Sequence, residues 1–207
     1  MKKKLISLIF ILLTSAVFSD YRPQEIINLE SEISREKDRD KVAVLLQRYE
    51  NIFKGYINSI SDNEELIFGL GDQYFRAGKY ERAKTIFGKN IDSSRNLFGA
   101  ATAARFIGDY NVAIDYYTES LDKYPVISEA YLGRGIAYRN IGEYKKAVDD
   151  LEKYKSYKKT ETVYMGLGDI YIVMGNYGKA KEILEEGRRE YPNSTKINEM
   201  LTTVFSK

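Results

Sequence analysis

Three residue types are absent from this chain of 207 residues, which contains no His, no Cys and no Trp, and only three Pro. Without His and Cys, the sequence excludes zinc fingers, thiol nucleophiles, Ser-His-Asp triads and disulfide frameworks. It also lacks the side chain that most often transfers protons near neutral pH. An enzyme could still be built from Asp, Glu, Lys and Ser, but we expect a protein without catalytic activity, without a bound metal ion and without a cofactor.

The residues that are present indicate a folded chain. Hydrophobic residues make up 43% of the sequence, and the aromatic content rests on 18 Tyr and nine Phe, which is too much for a disordered protein. The 32 Lys and Arg nearly balance the 30 Asp and Glu. A strongly basic surface is the usual feature of nucleic-acid binding, so we expect no nucleic-acid partner.

The first nineteen residues have the pattern of a signal peptide. Lysines at positions 2 to 4 precede an uncharged, mostly apolar run from Leu5 to Ser19. This run of about 15 residues is shorter than the roughly 20 that span a bilayer as a helix. The pattern predicts cleavage after Ser19, a mature chain that begins at Asp20, and export to the periplasm or cell envelope. The alternatives are an uncleaved leader that anchors the protein and a buried first helix.

Removal of this leader changes the sign of the net charge. The segment 1–19 contains three lysines and no acidic residue, so Lys and Arg fall from 32 to 29 against 30 Asp and Glu. The mature chain would carry a net charge near −1, and we expect no stable membrane span in it.

A short string recurs four times after residue 60. Each copy reads Gly-x-Tyr-x-x-Ala, and successive glycines are 30, 34 and 33 residues apart, at Gly78, Gly108, Gly142 and Gly175. A large apolar residue follows four positions after each Ala, at Phe87, Tyr117, Leu151 and Leu184. A nearly constant period in this range is typical of stacked supersecondary units.

A second pattern precedes each of these glycines. It is clearest in the first and fourth copies, where an Ile or Tyr is followed by Leu-Gly and then Tyr, at Ile67, Leu70-Gly71 and Tyr74 and at Tyr164, Leu167-Gly168 and Tyr171. The third copy has Arg134-Gly135 in place of Leu-Gly, and the second has only alanines there. Pro125 and Pro192 close the second and fourth units.

These motifs resemble the tetratricopeptide repeat, a helical hairpin of 34 residues. The resemblance covers Glu64 to Pro192 and implies an all-α fold, a right-handed α-solenoid of four repeats with a helical cap at each end. The four units would occupy residues 64–93, 94–127, 128–160 and 161–192. The sequence departs from the family pattern in that no unit has the leading Trp and the first unit is short.

The two ends lack the motif but keep a helical period. In residues 20–63, apolar side chains recur every three or four positions, and the charged run from Ser34 to Asp40 indicates a turn between two helices. We interpret this region as a degenerate hairpin that caps the first repeat; the alternative is a coiled arm for oligomerisation. Residues 193–207 predict a capping helix that begins near Asn193 or Ser194. The Asn193-Ser-Thr motif also matches a glycosylation site, an interpretation that we consider weaker.

A glycine recurs inside the first helix of every repeat, at Gly69, Gly99, Gly133 and Gly166. A nucleotide-binding loop would need a preceding strand and a third Gly, so this interpretation is disfavoured. Glycine inside a helix costs about 1 kcal/mol relative to Ala, which suggests that close contact at these positions recovers the cost. The contact could be with a neighbouring helix or with a bound chain, and helix packing is the favoured interpretation. We interpret Asp149 and Asp150 as ordinary surface charge.

The resemblance also implies a binding surface, because the first helices of tetratricopeptide arrays line a concave groove. The groove positions in this sequence would be Phe68, Asp72, Phe75, Phe98, Arg105, Phe106, Leu132, Ile136, Arg139, Met165, Asp169 and Ile172. Apolar residues stand where chaperone adaptors of the family carry the principal lysine of a carboxylate clamp, so we expect no such clamp. An apolar groove edged by Arg105 and Arg139 suits an apolar or amphipathic segment of another protein. Alternatively, the N-terminal hairpin or the superhelical turn covers some of these residues.

The sequence therefore predicts an exported, non-catalytic scaffold or assembly factor of the cell envelope that binds a protein or peptide segment. A second hypothesis is a homo-oligomeric structural protein of the envelope whose groove binds a copy of itself. A third is an accessory or carbohydrate-binding module that uses the many Tyr.

Overall fold

A computed structural model describes residues 20–125 and 127–206. The predicted leader lies outside the described residues. Within them the chain forms eleven α-helices and no strand. The helices are α1 Gln24–Arg35, α2 Arg39–Ser59, α3 Glu64–Arg76, α4 Tyr80–Phe87, α5 Ser94–Phe106, α6 Tyr110–Lys123, α7 Ser128–Asn140, α8 Tyr144–Tyr157, α9 Glu161–Val173, α10 Tyr177–Glu190 and α11 Thr195–Phe205. The prediction of an all-α fold is confirmed.

The chain divides into two compact units, which meet in sequence at Ala100 and Ala101, inside α5. In the N-terminal unit, α1 packs against α2 and α3 packs against α4. In the C-terminal unit, α7 packs against α8 and α9 against α10, and α11 contacts both α9 and α10. Each of these pairs joins helices that are consecutive in the chain, except that of α9 and α11, which are separated by α10.

The recurring glycines end the first helix of each hairpin in the same way. All four have positive φ angles, 71° at Gly78, 85° at Gly108, 83° at Gly142 and 71° at Gly175, a conformation that a Cβ atom penalises. The next residue donates a backbone hydrogen bond to the carbonyl five positions before it, as in Lys79 to Tyr74 at 2.9 Å. This bond closes a Schellman motif, so the turn follows directly from the repeated Gly.

The glycines inside the first helices make room for one large side chain from a second helix. In the N-terminal unit, the Phe87 ring lies between Gly71 and Gly99, where an added Cβ would come within 2.5 and 2.7 Å of it. In the C-terminal unit, Leu151 lies against Gly135 and Gly166, where an added Cβ would come within 3.1 and 3.2 Å of its side chain. We call the side chain in this place the wedge of its repeat. Close helix packing, the interpretation favoured from the sequence, therefore accounts for these glycines.

The first repeat receives its upstream wedge from a different source. A Cβ atom at Gly69 would lie 2.3 Å from the ring of Tyr21, which precedes α1. The same segment is fixed by hydrogen bonds from the Tyr21 amide to the Gln73 side chain at 3.2 Å and from the Tyr56 hydroxyl to the Tyr21 carbonyl at 2.6 Å. Residues 20–23, which we call the N-terminal strap, thus belong to the packing of α3.

The core of the C-terminal unit is an apolar cluster that runs through α8, α9, α10 and α11. Ala147 in α8 and Ala180 in α10 are fully buried, and they let the paired helices approach closely. Leu151, Leu167 and Leu184 fill the space between successive helices. Burial of apolar surface contributes about 25 cal/mol per Å², so these contacts are the main source of stability in the array.

Candidate functional site

The twelve residues predicted to line the groove all lie on the first helices α3, α5, α7 and α9. None of them is fully buried: each is half-buried or exposed. They divide between the two units, with the boundary inside α5. Whether they bind a partner stays a prediction.

In the N-terminal unit, several of the predicted positions already have partners within the chain. The guanidinium of Arg95 lies 4.0 Å above the Phe68 ring and donates to Glu65 at 2.8 Å. The Phe68 ring also lies 5.8 Å from that of Phe87. Asp72 pairs with Arg76 one helical turn later, at 2.7 Å.

Aromatic packing extends this surface to the end of α3. The rings of Phe75 and Tyr80 lie 5.1 Å apart, which joins the first helix of the repeat to the second. Phe98 is half-buried on α5. The predicted surface in this unit is therefore aromatic, with an arginine from α5 stacked on part of it.

In the C-terminal unit, the predicted residues form an apolar row that contains one ion pair. Leu132, Met165 and Ile172 are partly buried and pack against the core cluster of the unit. Arg139 on α7 donates to Asp169 on α9 through Nε at 2.8 Å and Nη2 at 2.6 Å. Two residues predicted separately from the repeat register are thus brought together by the stacking of the third and fourth repeats.

Arg105 and Phe106 lie together at the end of α5. The Arg105 guanidinium is 4.7 Å from the centre of the Phe106 ring, and 48% of the Phe106 surface is exposed. The Nε atom of Arg105 is buried and has no hydrogen-bond acceptor among the described residues. A cation held on an aromatic face, with an unused donor, is an arrangement suited to an anionic group.

Asp150 corrects the interpretation of Asp149 and Asp150 as ordinary surface charge. Asp149 is exposed, but Asp150 is buried and accepts two hydrogen bonds at 2.8 Å from Nε and Nη2 of Arg134. Arg134 also donates to Thr118 at 3.0 Å, and its pairing with Asp150 raises its pKa. The sequence contained the signal, because Arg134 occupies the position that Leu70 and Leu167 fill in other repeats.

A second buried polar cluster, in the N-terminal unit, was missed by reasoning from the sequence. Glu30 on α1 is only 5% exposed; it pairs with Arg22 of the strap and accepts a hydrogen bond from the Tyr49 hydroxyl at 3.0 Å. The Tyr49 and Tyr74 hydroxyls are also 3.0 Å apart. The available signal was the position of Glu30 on the same helix face as Ile26 and Ile33.

The ionisation of this cluster follows from burial and pairing. Burial raises the pKa of the Tyr49 and Tyr74 hydroxyls, and both therefore remain neutral hydrogen-bonding groups. Hydrogen bonding to Asp20 raises the pKa of Arg22. The hydrogen bonds from Arg22 and Gln73 lower the pKa of Asp20 to about 2. The cluster thus holds fixed charges that join the strap to α1 and α3.

The described residues offer neither a metal-binding cluster nor a membrane-spanning helix. They contain no group of three or more acidic residues placed to hold a metal ion. Among the helices that the structure describes, none combines the length and the apolar character that a membrane span requires.

The comparisons with protein families agree with the repeat motifs. Two family models, both described as tetratricopeptide repeat, match residues 98–159 and 161–188. They cover the second, third and fourth of the predicted repeats. Comparison with the curated proteins gives no match.

Solved structures share the fold at low sequence identity. A crystal structure of MamA is 20% identical, with a TM-score of 0.62, and the alignment covers 85% of this chain and 97% of that one. The Sgt2 tetratricopeptide domain from Aspergillus fumigatus is 29% identical, with a TM-score of 0.50 over 55% of this chain and 77% of that one. A chain of the APC/C hetero-tetramer Cut9-Hcn1 has a TM-score of 0.61 at 18% identity, and the alignment covers 67% of this chain and 29% of that one. These matches confirm the predicted solenoid class.

Proposed function

Since the chain is a tetratricopeptide repeat protein, we propose that it is a scaffold or assembly factor of the cell envelope that binds an apolar or amphipathic segment of another protein. Proteins of this repeat type are interaction scaffolds and generally lack catalytic activity. The finer parts of the proposal, namely the compartment and the binding surface, rest on the leader pattern and on the first helices.

The observation that carries the proposal is the apolar row on α7 and α9. Leu132, Met165 and Ile172 pack against the core cluster of the unit, and these three residues and Ile136 each remain partly accessible. Rows of accessible apolar side chains on rigid elements are typical of protein-binding surfaces. The Arg139–Asp169 pair beside the row adds a polar edge without a net charge.

Site-specific photo-crosslinking in cells tests this surface. A benzophenone amino acid placed at Ile136 or at Met165 should capture a discrete partner protein. The same group at Lys145, which is exposed on the second helix of the repeat, serves as the control and should capture none. Equal capture at all three positions would contradict binding through the first helices. Capture of a second copy of this chain alone would favour the homo-oligomeric structural protein.

Substitution provides an independent measurement. Phe98→Ser and Ile136→Ser should reduce capture of the crosslinked partner about tenfold while the helical melting curve stays near that of the wild type. If both variants instead lose their cooperative melt, these side chains act in the core and the proposed surface is wrong.

The proposed compartment is tested by the N-terminus of the mature protein. N-terminal sequencing of the protein from the envelope fraction should begin at Asp20. Recovery of the intact N-terminus in a membrane fraction would favour an uncleaved anchor, and recovery in the cytoplasm would contradict export.

A further inference from the structure

The C-terminal unit contains three arginines on the first helices α5 and α7, and only two of them are neutralised. Arg134 pairs with Asp150, and Arg139 pairs with Asp169. Among the described residues, no acidic side chain forms an ion pair with Arg105, and its Nε atom is buried without an acceptor. Arg105 is therefore the uncompensated cation of this surface.

The repeat register shows which partner Arg105 lacks. Arg105 and Arg139 each lie three residues before the turn glycine of their repeat, Gly108 and Gly142. Asp169, the partner of Arg139, lies six residues before the turn glycine of the next repeat. For Arg105, the residue six positions before the next turn glycine, Gly142, is Ile136, and its side chain cannot accept a hydrogen bond. The chain thus repeats the arginine and omits the acid.

The position of Arg105 allows a bound partner to supply the missing carboxylate. Its guanidinium stacks on the Phe106 ring at 4.7 Å, which limits the freedom of the side chain and leaves it beside an aromatic surface that is 48% exposed. A planar guanidinium held in this way is suited to bidentate recognition of a carboxylate. Because Nε is buried, a carboxylate of the partner would reach the terminal nitrogens Nη1 and Nη2, which also form a bidentate edge of the guanidinium.

We propose that Arg105 binds the side-chain carboxylate of an Asp or Glu in the partner segment, and that apolar residues on either side of this acid contact Phe106 and Ile136. The inference rests on the proposed binding function and specifies its ligand. Within the chain, Asp169 of the fourth repeat pairs with Arg139 of the third. We infer that the partner supplies the equivalent acid to Arg105 of the second repeat.

A displayed library of random linear peptides tests the proposal on the intact protein. Peptides fused through their C-termini carry no free C-terminal carboxylate, so acid selection in this format reports side chains. Wild-type protein should select Asp or Glu flanked by apolar residues. A selected peptide should bind Arg105→Gln at least about tenfold more weakly, the usual effect of losing a charged hydrogen bond. Arg189→Gln, an exposed arginine on α10, is the charge-matched control and should bind like the wild type.

A second variant supplies the acid within the chain. Ile136→Asp reproduces the arrangement of Arg139 and Asp169 one repeat earlier. We expect this variant to keep its helical melt and to lose the preference for acidic peptides, because Arg105 is then neutralised internally. Retention of the acid preference in Ile136→Asp or in Arg105→Gln would overturn the proposal.

The outcomes separate this inference from the proposed function. If the selected peptides are apolar and bind the first helices but show no acidic residue, the binding function stands and the role of Arg105 is wrong. If acidic selection appears only with peptides that have free C-termini, the ligand is a terminal carboxylate and the proposal is also wrong. If wild-type protein selects no peptide at all, both proposals fail.

Discussion

The third and fourth repeats and the first repeat obtain the same close packing by different means. In the C-terminal unit, Leu151 of one repeat lies against Gly135 of its own hairpin and Gly166 of the next. At Gly69 of the first repeat, the corresponding space is filled by Tyr21, which comes from the strap before α1. A periodic contact therefore specifies the interior of the array, whereas the beginning of the array depends on a segment outside the period.

The two regions also differ in how they bury polar groups. In the C-terminal unit, Arg134 and Asp150 form a bidentate pair within one hairpin. In the N-terminal unit, Arg22, Glu30 and Tyr49 join the strap, α1 and α2. Breaking a buried pair by removing one member costs about 3–5 kcal/mol, because the other charge stays buried. The contacts of Arg22, Glu30 and Tyr49 occur only once, so the N-terminal packing depends on these particular residues. The apolar contacts of the repeats recur from one hairpin to the next.

The largest effect is expected where a charge enters the periodic packing. Ala147→Glu places a carboxylate at a fully buried position between α7 and α8, without a partner, and should cost at least about 4 kcal/mol. We expect loss of the cooperative transition in thermal unfolding followed by circular dichroism. Lys145→Glu, at an exposed position two residues earlier, is the control. A melt of Ala147→Glu that matches the control would show that the assigned repeat register is wrong.

A smaller effect is expected from removal of the Tyr21 wedge. Tyr21→Ala leaves a space against Gly69 and should lower the free energy of unfolding by about 2 kcal/mol, since Tyr21 is half-buried and truncation of fully buried aromatic residues costs about 3–5 kcal/mol. Denaturant titration measures the change, with Tyr124→Ala as the control because that ring is 56% exposed.

The same experiment tests whether the strap is part of the fold. Tyr21→Phe keeps the ring and should be nearly as stable as the wild type. If Tyr21→Ala were no less stable than Tyr124→Ala, the first repeat would not need a wedge from outside the period, and the contrast between the two regions would be lost.

The periodic part of the fold was predictable from the sequence because each residue type has one packing role there. The turn glycines, the buried alanines and the wedges Phe87, Leu151 and Leu184 recur at fixed positions, and the structure places them accordingly. The family models match the same region. The all-α hairpin array follows from these residues alone.

The contacts that were missed are those that occur once. Tyr21 and Gly69 are 48 positions apart, so no short-range pattern joins them. Asp150 was interpreted as surface charge because it lies next to a helix face rich in Lys. Its burial depends on the single pairing with Arg134, which stands where two other repeats carry Leu. For the predicted groove, the register placed Arg139 and Asp169 on one surface, but their pairing depends on how the third and fourth repeats stack.

The smallest expected effect comes from the charge that fixes the strap. Asp20 accepts hydrogen bonds from the Arg22 side chain at 2.8 Å and from Gln73 at 3.0 Å. Asp20→Asn should destabilise the protein at neutral pH by about 1 kcal/mol, because the site is near the surface and solvent screens the pair. Asp115→Asn, an exposed acid on α6, is the control and should show no comparable loss.

The pH dependence of that difference identifies its cause. Hydrogen bonding lowers the pKa of Asp20 from its ordinary value of 3.8 to about 2, so the folded state binds the proton more weakly than the unfolded state. The stabilisation is therefore complete above about pH 4 and is lost as the pH falls towards 2. Wild type and Asp20→Asn should differ at pH 7 and converge near pH 2 in denaturant titrations. A difference that persists unchanged at pH 2 would assign the effect to packing of the strap, and the polar contrast between the two regions would then rest on Glu30 alone.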